Sequence, residues 1–277
     1  MHVHRRTADV DGRTRRFLVI APDNPGPRPD LLLFFHGSLQ SGSVMRRFTN
    51  GTFDELADAT NTVLVYPDGV DRHFNDCRSI LPVTARAENV DDVAFTAFLV
   101  EEMRREFGTD RTFACGYSNG GQMVLRLLFD APFNLTRACI FASTLGAGDN
   151  HAPSNPDSAY LPTPVLLMHG TADPLAPYEG GVAGLDATQT RGEVTSAPWT
   201  AARLAELNGA AGVPTEARPY AGVRTQTWEG ANPVELWTME GIGHVIPSGN
   251  ELDPRLGANT QAFRAADVVE GFLARIP

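Results

Sequence analysis

The stretch Gly116-Tyr117-Ser118-Asn119-Gly120 constrains this chain more than any other, because it sets a serine between two glycines at the end of a strand-like run over 112–116. A strand that turns sharply into a helix leaves no room for side chains beside the turn, and the glycines meet that demand. The serine hydroxyl is then held out at the carboxyl edge of a sheet. Residues 122–129 are predicted to form a buried helix packing back onto that sheet. Such a pentapeptide arises by accident in roughly one chain in ten of this length, so its surroundings have to carry the reading.

An activated serine needs a base and a group that orients the base. The apolar run 164–168 leads into His169-Gly170-Thr171-Ala172-Asp173-Pro174, which places Asp173 just past a strand end. A second run, 234–239, leads into Gly241-Ile242-Gly243-His244. Ser118, Asp173 and His244 thus lie on loops after successive strand candidates, in the order Ser, Asp, His. Residues 198–208 supply a crossover helix between the last two. An early strand, 31–35, runs into His36-Gly37-Ser38-Leu39, where a turn can aim a backbone N–H at a developing oxyanion. The N–H of Asn119 supplies a second donor, and Ser38 and Leu39 are both open as the first. Asp149, in Gly146-Ala147-Gly148-Asp149, competes for the acid role, but strand position favours Asp173. Of the other histidines, His36 and His169 read as structural groups at strand ends. His73 and His151 come at the wrong point in the order, and His2 and His4 precede the expected fold.

On these residues the chain resembles the α/β-hydrolase esterases that include feruloyl esterases, acetylxylan esterases and polyhydroxybutyrate-depolymerase-like enzymes. The resemblance covers nearly the whole chain and is carried further by Tyr66-Pro67-Asp68-Gly69, Phe74-Asn75-Asp76, Asn89-Val90-Asp91-Asp92-Val93 and His169-Gly170-Thr171-Ala172-Asp173-Pro174. It implies an α/β-hydrolase fold and a Ser118–His244–Asp173 triad working through an acyl-enzyme. The expected substrates are feruloyl, acetyl or short hydroxyalkanoate esters, as small molecules or linked to a polymer. Two departures fall near the expected pocket: Phe74 where the family often has Trp, and Val245-Ile246-Pro247 where it often has Thr-Trp-Pro. They bear on substrate preference and leave the triad positions intact. A serine peptidase would use the same triad and would cleave amides at rates comparable with esters. A noncatalytic binding protein on this fold usually lacks a triad residue, and none is lacking here.

Strands near 16–21, 30–35, 62–66, 112–117, 137–143, 164–169 and 233–239 alternate with helices over 53–59, 90–107, 120–129, 198–208 and 261–276. The alternation predicts one α/β domain over 1–277, with a mainly parallel central sheet and helices on both faces. The stretch 143–164 is too short and too rich in Gly, Asn, Asp and Pro for a large cap domain, so an open site is expected, bordered by the longer loop 175–198. Trp199, Trp228 and Trp237 are candidates for an aromatic pocket wall.

Every one of the 23 basic residues is arginine. The lack of lysine excludes Schiff-base chemistry, P-loop phosphate binding and Ser-Lys catalysis. A formal charge of −10 argues against nucleic acid. Cys77, Cys115 and Cys139 show no C-x-x-C spacing, and neither a metal nor a cofactor is indicated. Cys115 and Cys139 fall inside strands, whereas Cys77 falls in a loop as a candidate reactive thiol. No apolar run approaches a membrane span and no signal segment follows Met1, so the chain as written is expected in the cytoplasm, or outside the cell if it is a mature form. The sequence does not fix an oligomeric state.

Overall fold

Strands that bury both faces need helices on both sides. The computed structural model describes residues 2–23, 25–184, 189–210 and 212–275 and gives that arrangement. In chain order the strands and helices are β1 (His2–Val10), β2 (Arg13–Ala21), β3 (Asp30–Phe35), α1 (Gly42–Phe48), α2 (Thr52–Ala59), β4 (Thr62–Pro67), α3 (Thr84–Ala87), α4 (Asp92–Phe107), β5 (Thr112–Tyr117) and α5 (Asn119–Asp130). There follow β6 (Arg137–Phe141), β7 (Val165–Gly170), β8 (Gly181–Gly184), β9 (Thr190–Val194), α6 (Ala197–Leu207), β10 (Thr215–Tyr220), β11 (Val223–Trp228), β12 (Val234–Met239) and α7 (Ala265–Ala274).

The main sheet has ten strands in the order β1-β2-β4-β3-β5-β6-β7-β12-β11-β10. Its centre, from β4 to β12, is parallel, and antiparallel hairpins close both edges. The period-two alternation of β3 divides the core: Leu31, Leu33 and Phe35 join one cluster and Leu32 and Phe34 the other. The first cluster is completed by Phe95, Leu99 and Met103 of α4, by α5, and by Ala201 and Leu204 of α6. Met45 of α1, Phe53 of α2 and Val269 and Phe272 of α7 complete the second. The α/β-hydrolase architecture expected from the sequence is present.

Several expectations are corrected. His2 and His4 do not precede the fold but lie in β1, whose residues are all exposed or half-buried and so show no apolar face. β10 is exposed throughout and was likewise invisible to periodicity. The stretch between β6 and β7, expected to be too short for a large cap, holds two single turns of 3₁₀ helix, Gly148–Asn150 and Asp157–Ala159. The loop 175–198 is instead organised into a separate two-stranded sheet, β8–β9. The last helix starts at 265 rather than 261, and its expected end at 276 lies outside the described residues. Cys77 is fully buried, with its Sγ 3.3 Å from Gln122 Oε1. Burial pushes its thiol well above the ordinary value, which removes the reactive-thiol reading. Among the described residues no helix is long and apolar enough to cross a membrane, and no group of three or more His, Cys, Asp or Glu is placed to hold a metal ion.

Candidate active site

Ser118 is the hinge between β5 and α5, with φ 54° and ψ −117°. A non-glycine residue held there stores roughly 1–3 kcal/mol of backbone strain, and the packing on each side explains why the turn cannot relax. A Cβ at Gly116 would come within 2.1 Å of Gly120 O, and one at Gly120 within 2.1 Å of Phe35 O. Both glycines of the pentapeptide are therefore steric requirements of β5, α5 and β3 packing at backbone contact. The Ser118 carbonyl accepts from Ser143 Oγ at 2.6 Å, which ties the elbow to the end of β6.

The structure brings Asp173 and His244 together at the ends of β7 and β12, which are parallel neighbours. His244 Nδ1 lies 2.7 Å from Asp173 Oδ2. The other carboxylate oxygen accepts two backbone N–H groups, from Leu175 and Ala176, each at 2.8 Å. Burial works to raise the Asp173 pKa. The charge of His244 and the hydrogen bonds from His169 and His244 outweigh burial and hold the carboxyl well below its ordinary value. An ionised Asp173 accepts only, so Nδ1 of His244 carries the proton and Nε2 of the neutral ring is left as an acceptor. His169 Nε2 lies 2.8 Å from Ala176 O and 3.3 Å from Asp173 Oδ2, and its N–H steadies the loop that carries the acid. The His244 backbone is fixed from two sides: its carbonyl accepts from Tyr117 Oη at 2.7 Å and its N–H donates to Leu256 O at 2.6 Å.

Ser118 and His244 line one cavity of about 150 Å³. Ser38 lines it too, whereas Leu39 does not. The Leu39 N–H donates to Arg72 O at 3.0 Å, and its side chain is exposed. Of the two alternatives for the first oxyanion donor, Leu39 thus has its N–H occupied, and Ser38 is the one that lines the cavity. The turn itself is set by Gly37 N–H donating to Gln40 Oε1 at 3.0 Å. The Asn119 N–H begins α5 directly after Ser118, while its side chain is spent on the scaffold: Nδ2 donates to Phe74 O and Asp76 Oδ2, and Oδ1 accepts from Phe74 N.

His36 is structural, as its strand-end position implied. Its Nδ1 lies 2.8 Å from Gly37 O and so carries the proton, and Nε2 accepts from Gly69 N at 3.0 Å. Burial pushes its pKa down to about 4. Asp149 is exposed in a single 3₁₀ turn, and among the described residues the carboxylate hydrogen-bonded to His244 is that of Asp173. None of the three tryptophans lines the cavity at Ser118. Trp199 borders a different depression, Trp228 is buried in the core, and Trp237 packs with Tyr220 and Phe263.

The loop 175–198 borders the cavity as expected, but the sequence did not show that it does so as a two-stranded hairpin carrying an arginine. Ala183 and Gly184 of β8 and Arg191 and Val194 of β9 line the cavity, and Arg78 adds a second guanidinium. The expected open site therefore has a hairpin standing against it. Short Gly-rich strands with little apolar content gave periodicity nothing to detect.

Comparison with known proteins points in one direction. The family described as Phospholipase/Carboxylesterase matches residues 84–196, a span that holds Ser118 and Asp173 and stops short of His244. NocK, a proposed esterase of Nocardia uniformis subsp. tsuyamanensis, is 31% identical over 97% of this chain and 81% of its own length. Among solved structures, an acetyl xylan esterase from Aspergillus awamori superposes with a TM-score of 0.67 at 14% identity, over 89% of this chain and 95% of that one. Thermogutta terrifontis esterase 2 superposes with a TM-score of 0.59 at 17% identity, over 98% and 93%. At such identities the two structures speak to the fold.

Proposed function

Since this chain belongs to the α/β-hydrolase esterase family, whose members hydrolyse carboxylic esters, we propose that Ser118, His244 and Asp173 are its catalytic triad. The observation that carries the reading is the 2.7 Å contact between His244 Nδ1 and Asp173 Oδ2 beside a serine held on a strained elbow at the same cavity.

In this mechanism His244 Nε2 takes the proton from Ser118 as the oxygen attacks the ester carbonyl, and Asp173 stabilises the imidazolium that forms. The backbone N–H groups of Asn119 and Ser38 hold the oxyanion, the first aided by the positive end of α5. The imidazolium then protonates the leaving alcohol. Water repeats the sequence against the acyl-enzyme and releases the acid. The substrates proposed are feruloyl, acetyl or short hydroxyalkanoate esters.

Initial rates on p-nitrophenyl acetate, methyl ferulate, acetylated xylan and 3-hydroxybutyrate oligomers, with Ser118→Ala as control, test the proposal. Turnover that disappears in Ser118→Ala supports it and names the acyl class. Full turnover in a sequence-verified Ser118→Ala protein, or amide cleavage as fast as ester cleavage, overturns the esterase assignment of these residues.

A further inference from the structure

The two arginines of the cavity are in unlike situations. Arg78 is neutralised by Asp76: its Nε lies 3.1 Å from Oδ1 and its Nη2 2.5 Å from Oδ2. Asp76 has nothing left to offer a second cation, because Oδ1 also accepts from Arg78 N at 2.9 Å and Oδ2 from Asn119 Nδ2 at 2.7 Å. A carboxylate has about four acceptor positions, and all four are taken.

Arg191, on β9, is 8% exposed and lines the same cavity as Ser118 and His244. Among the described residues its guanidinium has no hydrogen-bond, carboxylate or aromatic partner. Only its backbone is engaged, its carbonyl accepting from Asn150 Nδ2 at 3.0 Å. Burial, and after it the charge of Arg78, hold its pKa below the ordinary guanidinium value, against the weaker pull of Asp76. Arginine keeps its charge even so, and no guanidinium nitrogen of Arg191 is sealed in the protein without a partner, so the unpaired fork opens onto the cavity, where an anion can meet it. Among the described residues the other cavity-lining side chains are apolar or neutral apart from the paired Arg78, so the uncompensated positive charge there belongs to Arg191.

Resting on the ester-hydrolase reading above, we propose that this cavity selects esters carrying a carboxylate, which Arg191 binds in the acyl or the alcohol half of the substrate. The planar fork of a guanidinium matches a carboxylate with two parallel N–H donors, and the half-closed site would strengthen that contact. Substrate binding would then supply the counter-ion that the fold withholds.

Matched ester pairs test this directly. The p-nitrophenyl monoesters of succinate and glutarate place the charge on the acyl side, with p-nitrophenyl butyrate and valerate as neutral partners. The acetyl ester of 3-hydroxybutyrate against that of its amide places it on the alcohol side. In at least one pair kcat/KM is expected to favour the charged member. Arg191→Gln should cut the charged-to-neutral ratio about 10- to 100-fold, the worth of a charged hydrogen-bond partner. Arg191→Lys should keep part of the preference, and it serves as the comparison if the Gln variant fails to fold. No preference for charge in either pair, or an equal fall for both members in the variant, overturns the proposal. Loss of all turnover in the wild type would strike the ester-hydrolase reading instead. Calorimetric titration of glutarate, with inorganic phosphate as a parallel probe, then decides on the anion site. Glutarate binding to Ser118→Ala but not to Ser118→Ala/Arg191→Gln upholds a carboxylate site. Phosphate alone binding, or glutarate binding to both variants or to neither, removes it.

Discussion

The two walls of one cavity are built in opposite ways. Ser118, Asp173 and His244 stand at the ends of β5, β7 and β12, inside the parallel centre of the ten-stranded sheet, where neighbouring backbones approach so closely that only glycine fits. Arg191 stands on a two-stranded hairpin that shares no ladder with that sheet. A few tethers hold the hairpin: an isolated bridge from Val194 to Gly146, the Ala147 N–H to Glu193 O at 2.9 Å, and the Asn150 side chain to Arg191 O and Glu193 O. The proposed chemistry thus rests on core packing, whereas the proposed selectivity rests on an appendage. Changes on the first wall should abolish turnover whatever the ester, and changes on the second should alter which ester is preferred.

The largest expected effect is on the first wall. Ser118→Ala should lower kcat by about 10⁶-fold while the circular dichroism spectrum is kept. Asp173→Asn should cost about 10⁴-fold, because an amide in that place no longer selects the Nδ1–H tautomer of His244. Steady-state kinetics on charged and neutral esters should show both losses equally, and a loss confined to charged esters would erase the contrast between the walls.

Acid should loosen the first wall through His36. Its pKa in the folded protein is about 4 against an ordinary 6.5, so between those values the unfolded chain binds the extra proton. Stability is therefore expected to fall as pH drops from about 6.5 to about 4, by roughly 3 kcal/mol, and to be insensitive to His36 below that. Protonation would also set the Nε2 proton against the Gly69 N–H it now accepts. His73 and His151, lowered by burial, act in the same direction. Asp173, held below its ordinary 3.8, adds a further fall beneath that pH. Urea unfolding between pH 7 and pH 4 measures the slope, and a flat profile would contradict the neutral, buried His36.

The second wall is tested through Asn150. Its side chain also accepts from Ile80 N at 3.0 Å, so Asn150→Ala releases the hairpin from two directions. A loss of about 1–3 kcal/mol is expected, together with weaker discrimination between charged and neutral esters and retained hydrolysis of p-nitrophenyl acetate. Equal loss of all ester activities would show that the hairpin supports the triad. Asp149→Asn, one residue away but exposed, should change the rates by less than about twofold, in keeping with the small effects of surface substitutions.

What the sequence made legible follows the same division. Residues 112–121 could be read because a strand, a forced turn and a helix impose three different local rules on ten consecutive positions. Asp173 and His244 could be read because each follows an apolar strand. The oxyanion turn was only half legible: Ser38 and Leu39 are adjacent and chemically similar as N–H donors, and the bond from the Leu39 N–H to Arg72 O, remote in sequence, exists only in the folded chain. Edge strands such as β1 and β10 lack a buried face, and the β8–β9 hairpin is held by contacts from Gly146, Ala147 and Asn150, remote in sequence, so pattern along the chain contained neither. Arg191 was missed for that reason. Its isolation is a three-dimensional fact, set by Asp76 having all its lone pairs engaged by Arg78 and Asn119.

The central claim is that Ser118 is the nucleophile. Peptide mass spectrometry after reaction with an aryl phosphonate, which mimics the tetrahedral intermediate and does not hydrolyse off, tests it most directly. One adduct on the peptide containing Ser118, absent from Ser118→Ala and slowed in Asp173→Asn, is the predicted result. Folded protein that takes up no phosphonate, or takes it up at another residue, would contradict the account.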